Sequence, residues 1–173
     1  MRDCEQFPGM SILDHGQDVF ARYLDLISPE PKLQWRMPDW IEKLKPLQLP
    51  IEIMKHYLIY HDCGKPFCRV VDENGKQHFP SHAQVSYHTW MKFAETPEDE
   101  QIGQLILMDM DAHTLKGDAV NEFIQRPEAP SLILAGLAEI HSNAAWLGQL
   151  DSDQFKIKWK QLDKIGKKLV ANL

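Results

Sequence analysis

Residues 57–66 read Tyr-Leu-Ile-Tyr-His-Asp-Cys-Gly-Lys-Pro, and this stretch decides the fold of the chain. The apolar residues up to this point predict a buried helix that breaks at Gly64 and Pro66. His61 and Asp62 at the end of such a helix are costly to bury unless something pairs with them. Two interpretations fit this pair: a solvated helix end with a capping histidine, or two ligands of a divalent metal ion.

Length and composition predict one ordinary globular domain over residues 1–173. No apolar run approaches the roughly 18 residues of a membrane span, and the N-terminus lacks the pattern of a signal peptide. The three cysteines form neither a disulfide framework nor a Cys-x-x-Cys pair, so we expect a reducing, cytoplasmic environment. A net charge of −6 argues against tight nonspecific binding of nucleic acid by the whole surface.

Two other predicted helices carry a histidine. Apolar spacing predicts a helix from Ser11 to Ile27, with His15 on its apolar face. A second helix begins at Ser81 and places His82 and Ser86 one turn apart on one face. A lone histidine on an apolar face is usually a satisfied core residue, so His15 alone does not identify a metal site.

Residues 67–79 predict a small β-hairpin, because Asn74-Gly75 lies between two short runs. This hairpin would form a flap beside the candidate ligands and limit access to them. The remaining apolar spacing is helical, so we expect an all-α domain of five to seven main helices with this hairpin inserted.

Two acidic residues lie where the pattern predicts burial. Asp109 continues the apolar stripe of the helix that precedes it, although a frayed, solvated helix end fits it equally well. Glu139 interrupts residues 132–140, which are apolar all round and predict a central buried helix. A buried glutamate without a partner is costly, so Glu139 would be a ligand, a base or protonated.

The C-terminal segment predicts an amphipathic helix over residues 153–170, with apolar side chains on one side. A solvated face is the ordinary interpretation of its lysines, and contact with an RNA backbone is the alternative. The lysines are Lys156, Lys158, Lys160, Lys164, Lys167 and Lys168.

Three pieces of this sequence resemble the HD-domain superfamily of metal-dependent phosphohydrolases. They are Asp-His-Gly-x-x-Val at 14–19, Tyr-His-Asp-Cys-Gly-Lys-Pro at 60–66 and His-Phe-Pro-Ser-His-Ala-x-x-Ser at 78–86. Each piece is weak alone, and the second and third together are specific. The resemblance extends from about His15 to Trp146.

The resemblance implies an all-α HD-domain helical bundle with one or two divalent metal ions. By matching position it also implies that Lys65 and Ser86 contact phosphate. The ligands that it implies by matching position are His15, His61, Asp62 and His82.

Two positions depart from the family pattern. Asp109 stands where many members have a histidine, and Glu139 stands where the last metal-binding aspartate is common. Both can ligate a divalent ion through oxygen, so both remain candidate ligands. The set does not distinguish Mn, Mg, Fe, Ni, Co and Zn.

Within the superfamily, the hairpin and the segment after it look most like HD domains associated with tRNA nucleotidyltransferases and polynucleotide kinases. This likeness implies hydrolysis of a nucleotide or RNA phosphoester, with a 2′-phosphate or a 2′,3′-cyclic phosphate favoured. Metal-activated water would attack phosphorus, Lys65 and Ser86 would contact the phosphate, and Asp62 could also accept a proton. The alternatives are an HD-type diiron oxygenase and a non-catalytic metal-binding regulatory module.

Overall fold

The computed structural model describes residues 1–146 and 148–173. The fold is mostly helical, with 59% of residues in helices and 5% in strands, which confirms the predicted all-α class. Among the described residues, six helices contain nine or more residues, within the predicted range of five to seven. None of the described helices is both long enough and apolar enough to cross a membrane.

The chain divides into two compact units. The first unit comprises residues 1–17 and 51–109, and the second comprises residues 18–50 and 110–173. The boundary falls within the first long helix, α1 (Ile12–Ile27). The single domain expected from the sequence stays a prediction.

Besides the start of α1, the first unit contains four helices and four short strands. These are β1 (Glu5–Phe7), β2 (Met10–Ser11), α3 (Ile51–Tyr60), α4 (Lys65–Cys68), β3 (Val70–Val71), β4 (Gln77–His78), α5 (His82–Trp90) and α6 (Pro97–Leu107).

Helix α6 packs against α3 and α5 and forms much of this unit's core. It begins at a capping box, in which the Thr96 side chain accepts from Asp99 N–H while the Asp99 carboxylate accepts from Thr96 N–H. The predicted stripe of Ile102, Leu105 and Ile106 is buried. The stripe therefore positions the end of α6 against the helix that leads to His61.

Two small antiparallel hairpins accompany these helices. The predicted hairpin is confirmed, because β3 pairs with β4 and Gly75 takes the positive φ of 76° that its turn requires. The second hairpin, β1 with β2, was not predicted from the sequence. Its strands are too short to carry an alternating pattern.

Among its described residues, the second unit contains two short 3₁₀ helices (Lys45–Leu47 and Asn143–Ala145), the remainder of α1 and five further α-helices. These are α2 (Ile41–Leu44), α7 (Asp111–Thr114), α8 (Ala119–Phe123), α9 (Ala129–Ser142) and α10 (Asp153–Val170).

Helix α9 is the centre of the second unit, as its all-apolar sequence predicted. Every residue of α9 except Glu139 is buried. Helix α10 packs along α9 and buries its predicted apolar side, including Phe155, Leu162 and Leu169. The lysines of α10 consequently lie on its other faces.

Candidate metal centre

The candidate centre, within the first unit, begins at the turn that follows α3. This helix ends one residue before His61, so the polar pair lies in the turn of residues 61–64 and not in the helix itself. A hydrogen bond from Lys65 N–H to the Asp62 carbonyl (3.0 Å) closes the turn. His61 and Asp62 are 2% and 1% exposed, which excludes the interpretation of a solvated helix end.

Three histidines from separate segments surround the Asp62 carboxylate. His61 Nε2 lies 3.2 Å and His15 Nε2 lies 4.0 Å from Asp62 Oδ2. His82 Nε2 lies 3.8 Å from the other oxygen, Oδ1. The structure thus brings together the four residues that the resemblance implied as ligands, and the nearest ligand nitrogens of His15 and His61 lie within 4.8 Å.

The backbone fixes the orientation of two of these imidazoles. His61 Nδ1 lies 2.8 Å from the Leu58 carbonyl oxygen, and His82 Nδ1 lies 3.2 Å from the Phe79 carbonyl oxygen. A carbonyl only accepts, so each Nδ1 carries the hydrogen and, in the neutral ring, Nε2 keeps its lone pair. Backbone support of one ring nitrogen is the usual arrangement of metal-ligating histidines, and here it directs both lone pairs toward Asp62.

The Asp62 carboxylate is anionic although it is buried. Burial raises its pKa, but attraction to His61 and Lys65 outweighs burial and holds the pKa well below its usual range. Asp62 Oδ1 has no hydrogen-bond partner among the described residues. Each of the three imidazoles lies within 4.0 Å of this buried anion, so this donor set could hold a metal ion.

Lys65 lies beside the centre and is itself 7% exposed. Its Nζ donates to Asp62 Oδ2 (2.5 Å) and to Gln6 Oε1 (2.9 Å), and lies 5.3 Å from the centre of the Phe79 ring. In this structure the ammonium group neutralises Asp62. Contact of Lys65 with phosphate stays a prediction.

Ser86 supports the turn from behind. Its buried hydroxyl accepts a hydrogen bond from Gly64 N–H (2.9 Å), and its carbonyl accepts from Cys63 Sγ (3.4 Å). Burial is the main cause that raises the Cys63 thiol pKa to about 11, so this thiol is neutral at physiological pH. Ser86 therefore positions the turn that carries His61 and Asp62, and its predicted contact with phosphate is untested.

Asp109 lies two residues beyond the end of α6 and is 8% exposed. The solvated alternative is thus wrong, and the predicted burial is confirmed. The Tyr57 hydroxyl donates a hydrogen bond of 2.7 Å to Asp109 Oδ1. A signal for this partner was present in the sequence, because a tyrosine in an apolar run needs an acceptor for its hydroxyl.

Glu139 belongs to the second unit. Its side chain is 19% exposed, and its Oε2 lies 3.1 Å from His113 Nε2 while Oε1 accepts from Asn143 Nδ2 at 3.4 Å. The sequence predicted a buried side chain, whereas Glu139 is half-buried and its carboxylate lies against polar groups. The assignment of Glu139 as a metal ligand stays a prediction, as does that of Asp109.

Sequence analysis did not identify two residues with notable polar contacts, one in each unit. Gln6 comes from β1, and only the unpredicted hairpin brings it to Lys65. His141, in the second unit, is buried with Nδ1 2.7 Å from the Leu137 carbonyl oxygen, and its Nε2 accepts from Arg36 N–H at 3.1 Å. Desolvation lowers the His141 pKa to about 4, so this imidazole is a neutral structural group.

Comparison with protein-family models, with curated proteins and with solved structures gave no match.

Proposed function

We propose that this protein is a metal-dependent phosphohydrolase that acts on a nucleotide or RNA phosphoester, with a 2′-phosphate or a 2′,3′-cyclic phosphate as the favoured group. The observation that carries the proposal is the convergence of His15, His61 and His82 on the buried carboxylate of Asp62. Three imidazoles and one carboxylate form a common donor set for a divalent ion in a hydrolase.

The residues that would hold the ion are His15, His61, Asp62 and His82. A bound divalent ion supplies Lewis-acid chemistry, which activates water and neutralises charge on a phosphate oxygen. A nitrogen-rich set of this kind favours zinc, iron or nickel over magnesium, which prefers oxygen ligands.

The chain's own residues prepare the site for a phosphate. Asp62 is held as an anion by its neighbours, so its carboxylate is available as a ligand at neutral pH. Lys65 provides a buried ammonium group that would stabilise negative charge on the transferred phosphate. Ser86 orients the turn that supports both residues.

The first test measures the metal content of protein purified without chelators. Expected is a divalent metal in at least about one equivalent, retained by a buried site of this donor type. The second test measures phosphate release or ring opening across 2′-, 3′-, 5′- and 2′,3′-cyclic nucleotides under anaerobic conditions. Turnover without oxygen supports hydrolysis.

Two outcomes would overturn the proposal. Iron content together with strictly oxygen-dependent turnover would identify an oxygenase. Metal retention without turnover of any phosphoester, with or without added manganese, nickel or zinc, would identify a non-catalytic metal-binding module.

A further inference from the structure

A groove of about 620 Å³ lies between the two hairpins of the first unit. Residues of β1 and the turn after it form one side, and residues of β3–β4 and the segments next to it form the other. Gln77 Nε2 donates to the Glu5 carbonyl (3.1 Å) and ties the two hairpins together. A hydrogen bond between the hairpins thus fixes the two sides of the groove relative to each other.

Residues that line this groove also contact the candidate metal centre. Gln6 Oε1 accepts from Lys65 Nζ, and the Phe79 ring lies under the same ammonium group. The Phe79 carbonyl supports His82, and the Phe7 ring meets His15 edge-on at 6.3 Å between ring centres. A molecule in the groove would therefore lie beside the group that the centre acts on.

The groove offers positive charge and aromatic surface in a chain with a net charge of −6. Arg69 and Lys76 are both exposed there, and neither forms an ion pair with any residue that the structure describes. Arg69 Nε donates to Gln77 Oε1 (2.9 Å), which holds the guanidinium at the groove wall. Glu5 also lines the groove, and its Oε1 accepts from Gly9 N–H (3.1 Å).

We propose that this groove binds a nucleotide that carries a phosphate in addition to the one at the metal centre. Arg69 and Lys76 would bind the additional phosphate, because both donate charge-assisted hydrogen bonds to anions. Phe7 and Phe79 line the groove and would contact the base, since stacking on aromatic side chains tolerates every base. This inference rests on the proposed function and narrows its substrate to a nucleoside bisphosphate or the end of an RNA strand.

The test uses a double variant of the groove, Arg69→Gln with Lys76→Gln. Its matched control is Arg2→Gln with Lys92→Gln, which removes one arginine and one lysine from exposed positions of the same unit outside the groove. Binding is measured on metal-free protein by equilibrium dialysis of adenosine 3′,5′-bisphosphate, AMP and ribose 5-phosphate. A 5′-phosphorylated oligoribonucleotide distinguishes an RNA end from a free bisphosphate.

The groove variant is expected to bind adenosine 3′,5′-bisphosphate at least about tenfold more weakly than the control, the loss expected for one charge-assisted hydrogen bond. Ribose 5-phosphate should bind more weakly than AMP, because it lacks a base to stack. Equal affinity of both variants for the bisphosphate would overturn the groove, and equal binding of AMP and ribose 5-phosphate would overturn the base site.

Kinetics separate this inference from the proposed function. In the groove variant, kcat/KM for the bisphosphate relative to kcat/KM for p-nitrophenyl phosphate should fall about tenfold. Turnover with an unchanged ratio would support the phosphohydrolase and overturn the groove. Groove-dependent binding without turnover of any phosphoester would support the groove and overturn the phosphohydrolase.

Discussion

Asp62 is the residue on which the three histidines of the candidate centre converge. Its two carboxylate oxygens have different surroundings. Oδ2 accepts from Lys65, whereas Oδ1 lies 3.8 Å from His82 and has no hydrogen-bond partner among the described residues. A buried carboxylate with one compensated oxygen and one uncompensated oxygen is costly in the metal-free protein. A cation among the histidines would remove that cost.

His61→Ala should abolish metal binding while the chain stays folded. The substitution removes a polar imidazole whose Nδ1 lies 2.8 Å from the Leu58 carbonyl oxygen, and it removes no core apolar side chain. Elemental analysis measures the loss of metal, and circular dichroism checks that the helices remain folded. The matched control is His88→Ala on the exposed side of α5, which should keep its metal. Full metal occupancy in the His61 variant would show that His61 is not a ligand.

Lys65→Ala should destabilise the metal-free protein by about 3–5 kcal/mol, because it leaves the buried Asp62 anion without its cationic partner. Turnover should also fall strongly, whereas metal binding should persist, since a protonated ammonium group is not a ligand. Thermal unfolding with and without added zinc or manganese measures the effect.

The same Lys65 measurement includes a comparison with exposed Lys92→Ala, which should change neither stability nor metal response. Metal should raise the melting temperature of the Lys65 variant more than that of the parent, because the ion replaces the missing positive charge. An equal rise in both would separate Lys65 from the metal centre.

The lowered pKa of His141 predicts that the free energy of unfolding decreases as the pH falls. Its pKa is about 4 in the folded chain against 6.5 for an ordinary histidine, so the unfolded state binds more protons between these values. Stability from this group is therefore complete above about pH 6.5 and is lost as pH falls toward 4, with a total of about 3 kcal/mol.

Urea unfolding of the parent and of His141→Gln between pH 4 and 7 measures this contribution. Glutamine can still accept from Arg36 N–H but does not titrate, so the variant should show a flatter dependence of unfolding free energy on pH. Parallel curves for the two proteins would mean that the His141 pKa is the same in the folded and unfolded chain, which would contradict the prediction.

At the scale of elements, the turn after α3 is held by close approach to α5. A Cβ built on Gly64 would lie 2.2 Å from the Ser86 backbone nitrogen, so only glycine fits. The Gly64 φ of −85° is open to any residue, and the restriction is therefore steric contact alone. This contact allows the Ser86 hydroxyl to reach Gly64 N–H.

Gly64→Ala should consequently destabilise the protein by about 2–3 kcal/mol and weaken metal binding, because backbone must move. Gly103→Ala is the matched control, since its Cβ would meet the flexible end of the Met91 side chain and alanine favours the helix. The control should change stability by about 1 kcal/mol or less. If urea unfolding showed the same loss of unfolding free energy for Gly64→Ala and Gly103→Ala, the close contact between the turn and α5 would not contribute to stability.

At the scale of the whole molecule, helical periodicity predicted most elements. It located α9 and α10 and the buried stripe of α6, because each buries one continuous apolar surface. It failed for β1–β2, where strands of three and two residues contain too few side chains to show a period. It also extended α3 through His61, since a turn and a last helical residue look alike in sequence.

The residues of the candidate site that belong to the three sequence motifs were predicted. His15, His61, Asp62 and His82 converge as the resemblance implied. Residues that complete the surroundings were not predicted, because pairing of Gln6 with Lys65 depends on tertiary contacts between distant segments. Asp109 illustrates the middle case: its burial follows from the stripe, but its tyrosine partner was named only by the structure.

The lysines of α10 lead to the last prediction, which concerns substrate size. Lys158, Lys160 and Lys164 are exposed, whereas Lys167 pairs with Asp163 at 2.7 Å. If these exposed lysines contact an RNA backbone, cleavage of an oligoribonucleotide should weaken with salt more steeply than cleavage of a mononucleotide, because each phosphate bound by a lysine releases counterions.

Replacing Lys158, Lys160 and Lys164 together by glutamine should therefore reduce the slope of log kcat/KM against log salt by about 0.7 for each phosphate that no longer binds a lysine. The mononucleotide slope should stay the same. The matched control replaces exposed Lys32, Lys43 and Lys92 by glutamine, which changes net charge equally and should leave both slopes unchanged. An equal reduction in the control would reflect total charge alone, and no reduction in the α10 variant would leave its lysines as a solvated face.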